Sequence, residues 1–200
     1  MSAAQPSRLH RWKEGVSVKK MKLTVAVALL GALVSVGMVS ARDRDVLVRF
    51  DGGIGVIPVQ GVVAPANLDG TFANVTRNIV RGVNPGAGPW RISDLKATID
   101  TDGRIRVRGR GLLLASTDKI GQNANQSVFA TLICEATGPF VERNTNTAGV
   151  PLSADGDFRI DDVLSQAPAT CASPVLLIRN TAGAWFAAGI QKLYDDDDNN

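Results

Sequence analysis

The stretch Leu95-Lys96-Ala97-Thr98-Ile99-Asp100-Thr101-Asp102-Gly103-Arg104-Ile105-Arg106-Val107-Arg108-Gly109-Arg110-Gly111 decides the fold. Leu95, Ala97 and Ile99 alternate with Lys96, Thr98 and Asp100. Ile105, Val107, Gly109 and Gly111 alternate with Arg104, Arg106, Arg108 and Arg110. Period-two alternation marks a strand with one buried face, so two strands meet at the turn residues Asp102-Gly103. A two-residue loop would set Ile99 against Arg106 and bring opposite faces together. A three-residue loop, Thr101-Asp102-Gly103, sets Ile99 against Ile105 and Ala97 against Val107, and puts Gly103 where a left-handed residue is wanted. The second register is the expected one.

Similar punctuation recurs along residues 42–194: Asp51-Gly52-Gly53, Asp69-Gly70, Asn84-Pro85-Gly86, Asp155-Gly156 and Asn180-Thr181-Ala182-Gly183. Between these turns lie short runs rich in Val and Ile, and no stretch keeps a helical period beyond about two turns. The reading is an all-β, antiparallel β-sandwich or barrel-like domain over 42–194. Further strands are expected over residues 46–50, 54–59, 75–83, 111–115, 128–135, 175–179 and 185–190. Leu152, Asp155-Gly156, Phe158 and Ile160 repeat the spacing of the first hairpin and predict a second, with Leu152 opposite Phe158 and Val150 opposite Ile160. Arg159 falls at the offset of Arg106. The apolar phase slips at Ser93-Asp94, which reads as a β-bulge, and residues 161–166 read as a short turn of helix.

Charge divides the chain. Residues 1–41 hold six basic groups and one acid; residues 42–200 hold 16 basic and 18 acidic groups, so segments of +5 and −2 make up the formal +3. Lys19-Lys20-Met21-Lys22, the apolar run from Leu23 to Val39, and Ser40-Ala41 before Arg42 form the tripartite pattern of a secretory signal peptide cleaved after Ala41. Left uncleaved, the same segment would be the protein's one contact with a membrane. Twenty residues precede Met21, which is an alternative translation start. The run Asp195-Asp196-Asp197-Asp198-Asn199-Asn200 has nothing to bury and reads as a disordered acidic tail.

Export makes Cys134 and Cys171 readable as a disulfide and places the protein in the periplasm or outside the cell. His10, the one histidine, lies in the leader. The exported chain therefore excludes Ser-His-Asp, Cys-His and His-ligated metal mechanisms. No calcium-loop or other metal spacing is present, no cofactor motif appears, and none is assigned.

Two features carry candidate chemistry. On a strand, Arg104, Arg106, Arg108 and Arg110 project from one face at roughly 6.5–7 Å intervals, a spacing suited to the anionic groups of a polymer, which arginine forks bind in bidentate fashion. In the hairpin register Arg104 faces Asp100 and Arg110 faces Asp94, while Arg108 meets Lys96. The expected role is a non-catalytic binding or structural domain that docks an envelope or extracellular polyanion. Basic and aromatic residues are not interleaved, so nucleic acid is not an expected partner. The oligomeric state is not readable. The alternative role is a carboxylate-dependent hydrolase of extracellular carbohydrate built on Glu135, with Arg143 or Arg179 as the acid's structural partner if it has none in catalysis. Trp90, after Gly88-Pro89, is either a sugar-stacking platform or a core anchor.

Overall fold

The computed structural model describes residues 45–193. The expected signal peptide (1–41) and acidic run (195–200) lie outside the described residues. Those residues form only strands and loops. The first strands are β1 (Val46–Gly55), β2 (Val59–Ala66), β3 (Phe72–Arg77) and β4 (Trp90–Arg91). The expected hairpin supplies β5 (Asp94–Asp100) and β6 (Arg104–Arg110), followed by β7 (Leu113–Leu114), β8 (Ser127–Ile133), β9 (Arg143–Asn144) and β10 (Val150–Pro151). The last are β11 (Phe158–Val163), β12 (Val175–Asn180) and β13 (Trp185–Lys192).

Eight strands run in the order β10-β8-β12-β13-β1-β5-β6-β11, all antiparallel, with β9 added beside β8. This sheet curls into a half-barrel. The β5–β6 register is the expected one, Ile99 opposite Ile105 and Ala97 opposite Val107, and Gly103 takes a φ of 84°. Cross-strand rows then build the core: Val48, Ile99 and Ile105 in one, Phe50, Ala97, Val107 and Ile160 in the next, all buried. Each of these side chains apart from Ala97 contributes roughly 1.5–3 kcal/mol when removed from water, so a one-residue slip, which would turn the whole row outward, is strongly disfavoured. In a third row Leu95, Gly109 and Phe158 align. A β-carbon on Gly109 would lie 2.1 Å from the Phe158 ring, so the glycine makes room for the aromatic.

The curl brings the ends of the sheet together. Ser165 N–H donates to the Asn144 carbonyl at 2.8 Å, and Asn144 N–H donates to Ser165 Oγ at 3.1 Å. Asp162 Oδ2 accepts the Asn146 N–H at 2.7 Å.

Three sequence expectations fail here for physical reasons. The second hairpin does not form across Leu152 and Phe158: Val150 pairs with Val128, and Phe158 pairs with Gly109 at the other end of the sheet. Only the turn survives, with Ser153 N–H donating to the Asp157 carbonyl at 3.0 Å. Its Gly156 is pressed onto Leu112, whose N–H donates to the Gly156 carbonyl at 2.9 Å. Residues 161–163 continue β11 instead of starting a helix, because Asp161 and Asp162 register with Arg106 and Ile105; no helix occurs among the described residues. The slip at Ser93 is a strand break, not a bulge. Trp90 leaves the main sheet to pair with Leu114 in a two-stranded sheet and stacks on Phe186 with ring centroids 4.1 Å apart.

Strand bounds also move. The segment expected as one strand over 75–83 ends its pairing at Arg77, where β3 completes a ribbon with β2. Val59, Val62, Val63 and Val75 on that ribbon are exposed.

Candidate functional site

Arg104, Arg106, Arg108 and Arg110 all point outward, alternating with buried Ile105, Val107 and Gly109. The fold adds neighbours that the hairpin alone does not reveal. One cross-strand row on this outer face reads Asp51 (β1), Lys96 (β5), Arg108 (β6), Arg159 (β11); the next reads Arg49, Thr98, Arg106, Asp161. Lys192 of β13 lies opposite Arg49. A shallow groove of about 350 Å³ runs over the face, lined by Arg49, Asp51, Lys96, Arg106, Arg108 and Lys192 among others. These two rows and Lys192 carry six cations and two acids.

The charges are not equally committed. Lys96 Nζ reaches Asp51 Oδ1 at 3.1 Å, and Arg159 reaches Asp161 at 3.7 Å, both pairs being about half exposed or more. Such exposed pairs are worth little, at most about 1 kcal/mol, and yield readily to another anion. Arg106 lies 3.4 Å from Asp100, a buried carboxylate whose other oxygen has no hydrogen-bond partner. Arg108, exposed, has no ion pair or side-chain hydrogen bond among the described residues. It stands between Lys96 and Arg159, each directly opposite it.

Two expected pairings are corrected. Arg104 does not bridge Asp100; its Nε turns back to Asp102 in the loop at 3.2 Å, while Asp102 Oδ1 accepts the Arg104 N–H at 3.0 Å. The tight loop offers that carboxylate first, leaving Asp100 to Arg106. Arg110 sits opposite Asp94 in register but forms no ion pair with it among the described residues.

Glu135 has a different setting. Arg143 Nη2 donates to Glu135 Oε1 at 2.9 Å, and Val141 N–H donates to Oε2 at 3.1 Å. The Arg143 hydrogen bond outweighs the opposing effect of burial and holds the carboxyl down to about 2. A general acid needs a pKa near its working pH; Glu135 is ionised and tied to a buried arginine. Nearby, Arg179 Nη1 donates to Glu142 Oε2 and to Thr131 Oγ1, and its Nε donates to the Gly183 carbonyl. Both arginines are buried.

Cys134 and Cys171 are joined in a disulfide, a bond that persists in oxidising, extracytoplasmic environments. No helix among the described residues is long and apolar enough to cross a membrane. Trp90 is a core residue, buried against Phe186, and offers no platform. Among the described residues no three His, Cys, Asp or Glu side chains gather to hold a metal.

Sequence reasoning found the β6 arginines and Lys96 but missed Arg49, Arg159 and Lys192 as their neighbours. Arg159 shared the Arg106 offset only within the second hairpin that does not form, and it is the pairing of β11 with β6 that sets it opposite Arg108. Arg49 and Lys192 carried no signal, since only the pairing of β1 with β13 unites them. No known protein family, curated protein or solved structure matches the chain. The face itself is therefore the ground for a functional reading.

Proposed function

We propose that this is an exported, non-catalytic binding domain, secreted or periplasmic, that docks a cell-envelope or extracellular polyanion on the outer face of β13-β1-β5-β6-β11. The observation that carries the reading is the row Lys96-Arg108-Arg159. Like charges directly opposite one another destabilise a sheet, and the middle one has no ion pair among the described residues. A ligand anion seated over Arg108 turns that repulsion into attraction. Arginine's planar fork suits sulfate, phosphate and carboxylate alike, and the flanking exposed pairs give up their acids at small cost.

The test uses the protein expressed with residues 1–41 in place and recovered from the exported fraction. On a heparin column at about 0.15 M salt, where charges beyond about 8 Å are screened, the parent is retained. Arg106→Ala with Arg108→Ala elutes early. Equal elution of parent and variant, or no retention of the parent, overturns the reading.

A further inference from the structure

Resting on that reading, we infer that the ligand is an acidic polysaccharide of the polyuronate type, lying across the strands and not along β6. Its direction follows from the register. Along β6 the same-face arginines recur at roughly 6.5–7 Å, whereas cations in the row Lys96-Arg108-Arg159 recur at the strand separation of about 4.8 Å. Ion pairing does not separate the two sets, since two cations of each are paired: Arg104 with Asp102 and Arg106 with Asp100, Lys96 with Asp51 and Arg159 with Asp161. The groove does separate them: Arg108 belongs to both sets, but the groove runs from it across β5 and β1 to Lys192, and its lining includes neither Arg104 nor Arg110.

Its chemical class follows from the acids on the same face. Asp51 closes the row on one side, Asp161 lies beside Arg159, and the Thr98 hydroxyl sits between Arg49 and Arg106. A ligand made only of anions is repelled by Asp51 and Asp161. A uronate polymer brings one carboxylate per ring for the cations and free hydroxyls that donate to those aspartates. The mixture of forks and acceptors fits a chain of sugar acids, one ring per strand, better than a bare polyanion.

The two aspartates give a test of sign. Binding of the exported protein to polygalacturonate and to poly-glutamate, a carboxylate polymer without sugar hydroxyls, is measured by titration calorimetry at about 0.15 M salt. Lys96→Gln with Arg159→Gln should weaken polygalacturonate binding about tenfold or more, at least the effect of losing one of its two charge-assisted contacts, while Arg104→Gln with Arg110→Gln changes it less than about twofold. Asp51→Ala with Asp161→Ala should weaken polygalacturonate binding and tighten poly-glutamate binding. If that variant tightens both, the sugar class is wrong. A larger loss from Arg104 and Arg110 overturns the cross-strand direction. In either case the docking reading stands; a parent that binds neither polymer and is not retained on heparin removes both.

Discussion

Arginine has two fates on this one sheet. On β9 beside β8, and on β12, Arg143 and Arg179 are buried, each held by a glutamate and by backbone or hydroxyl oxygens. On β6 and β11, Arg106, Arg108 and Arg159 stand in water with loose partners or none. The difference lies in what covers the strand. β8 and β12 are buried on both faces, so a cation there must satisfy its donors or leave a costly orphan. Of the donors on Arg143 and Arg179, the Arg143 Nε is buried without a partner. The outer face of β6 is bare, so an exposed cation such as Arg108 has no donor to satisfy there, while Arg106 alone of the three reaches a buried acid, Asp100. The same residue is structural where it is enclosed and available for binding where it is not.

That contrast predicts opposite outcomes on the two sides. The largest effect belongs to the covered side, where the Cys134–Cys171 bridge ties the end of β8 to the segment leading into β12. Replacing both cysteines by alanine should lower the unfolding free energy by about 2–4 kcal/mol, chiefly by freeing the unfolded chain. Urea titration measures it, and a loss below about 1 kcal/mol would show that this side holds together without the bridge.

Glu135→Gln should cost about 1–3 kcal/mol at neutral pH by weakening the charge-assisted bond to Arg143. The sign with pH is fixed. The Glu135 carboxyl is lowered in the folded state from 4.5 to about 2, so its stabilisation is full above about 4.5 and drains away as pH falls toward 2. The variant's stability should be flatter than the parent's across that window. Parallel curves would mean that the ion pair contributes nothing.

The smallest effect falls on the bare side. Arg108→Gln should leave stability within about 0.5 kcal/mol of the parent, or raise it slightly, since it relieves the repulsion from Lys96 and Arg159. A thermal unfolding series checks this. A loss above about 1 kcal/mol would make Arg108 a structural residue and erase the contrast.

How much of this was legible in the sequence depends on the range of the interaction. The β5–β6 hairpin was readable because alternation, turn and register lie within one short stretch, where only one loop length aligns the apolar faces. The second hairpin carried nearly the same local signal and was misread. Val150 and Phe158 each find a partner strand elsewhere, Val128 and Gly109, and no local rule reports that competition. The partner of Glu135 was narrowed to Arg143 or Arg179, and Arg143 took it. The breadth of the basic face was hidden, because Arg49 and Lys192 become neighbours only after the first and last strands pair.

That last pairing has a consequence for the connectivity of the domain. β1 and β13 lie side by side in mid-sheet, with Arg49 opposite Lys192, so the chain enters and leaves the fold at one place. Joining those two ends would close the polypeptide into a ring, and the strand pairings would then not depend on where it is cut. A short linker from residue 193 back to residue 45, with new termini opened at the exposed turn Asp69-Gly70, gives a circular permutant that keeps every pairing of the main sheet.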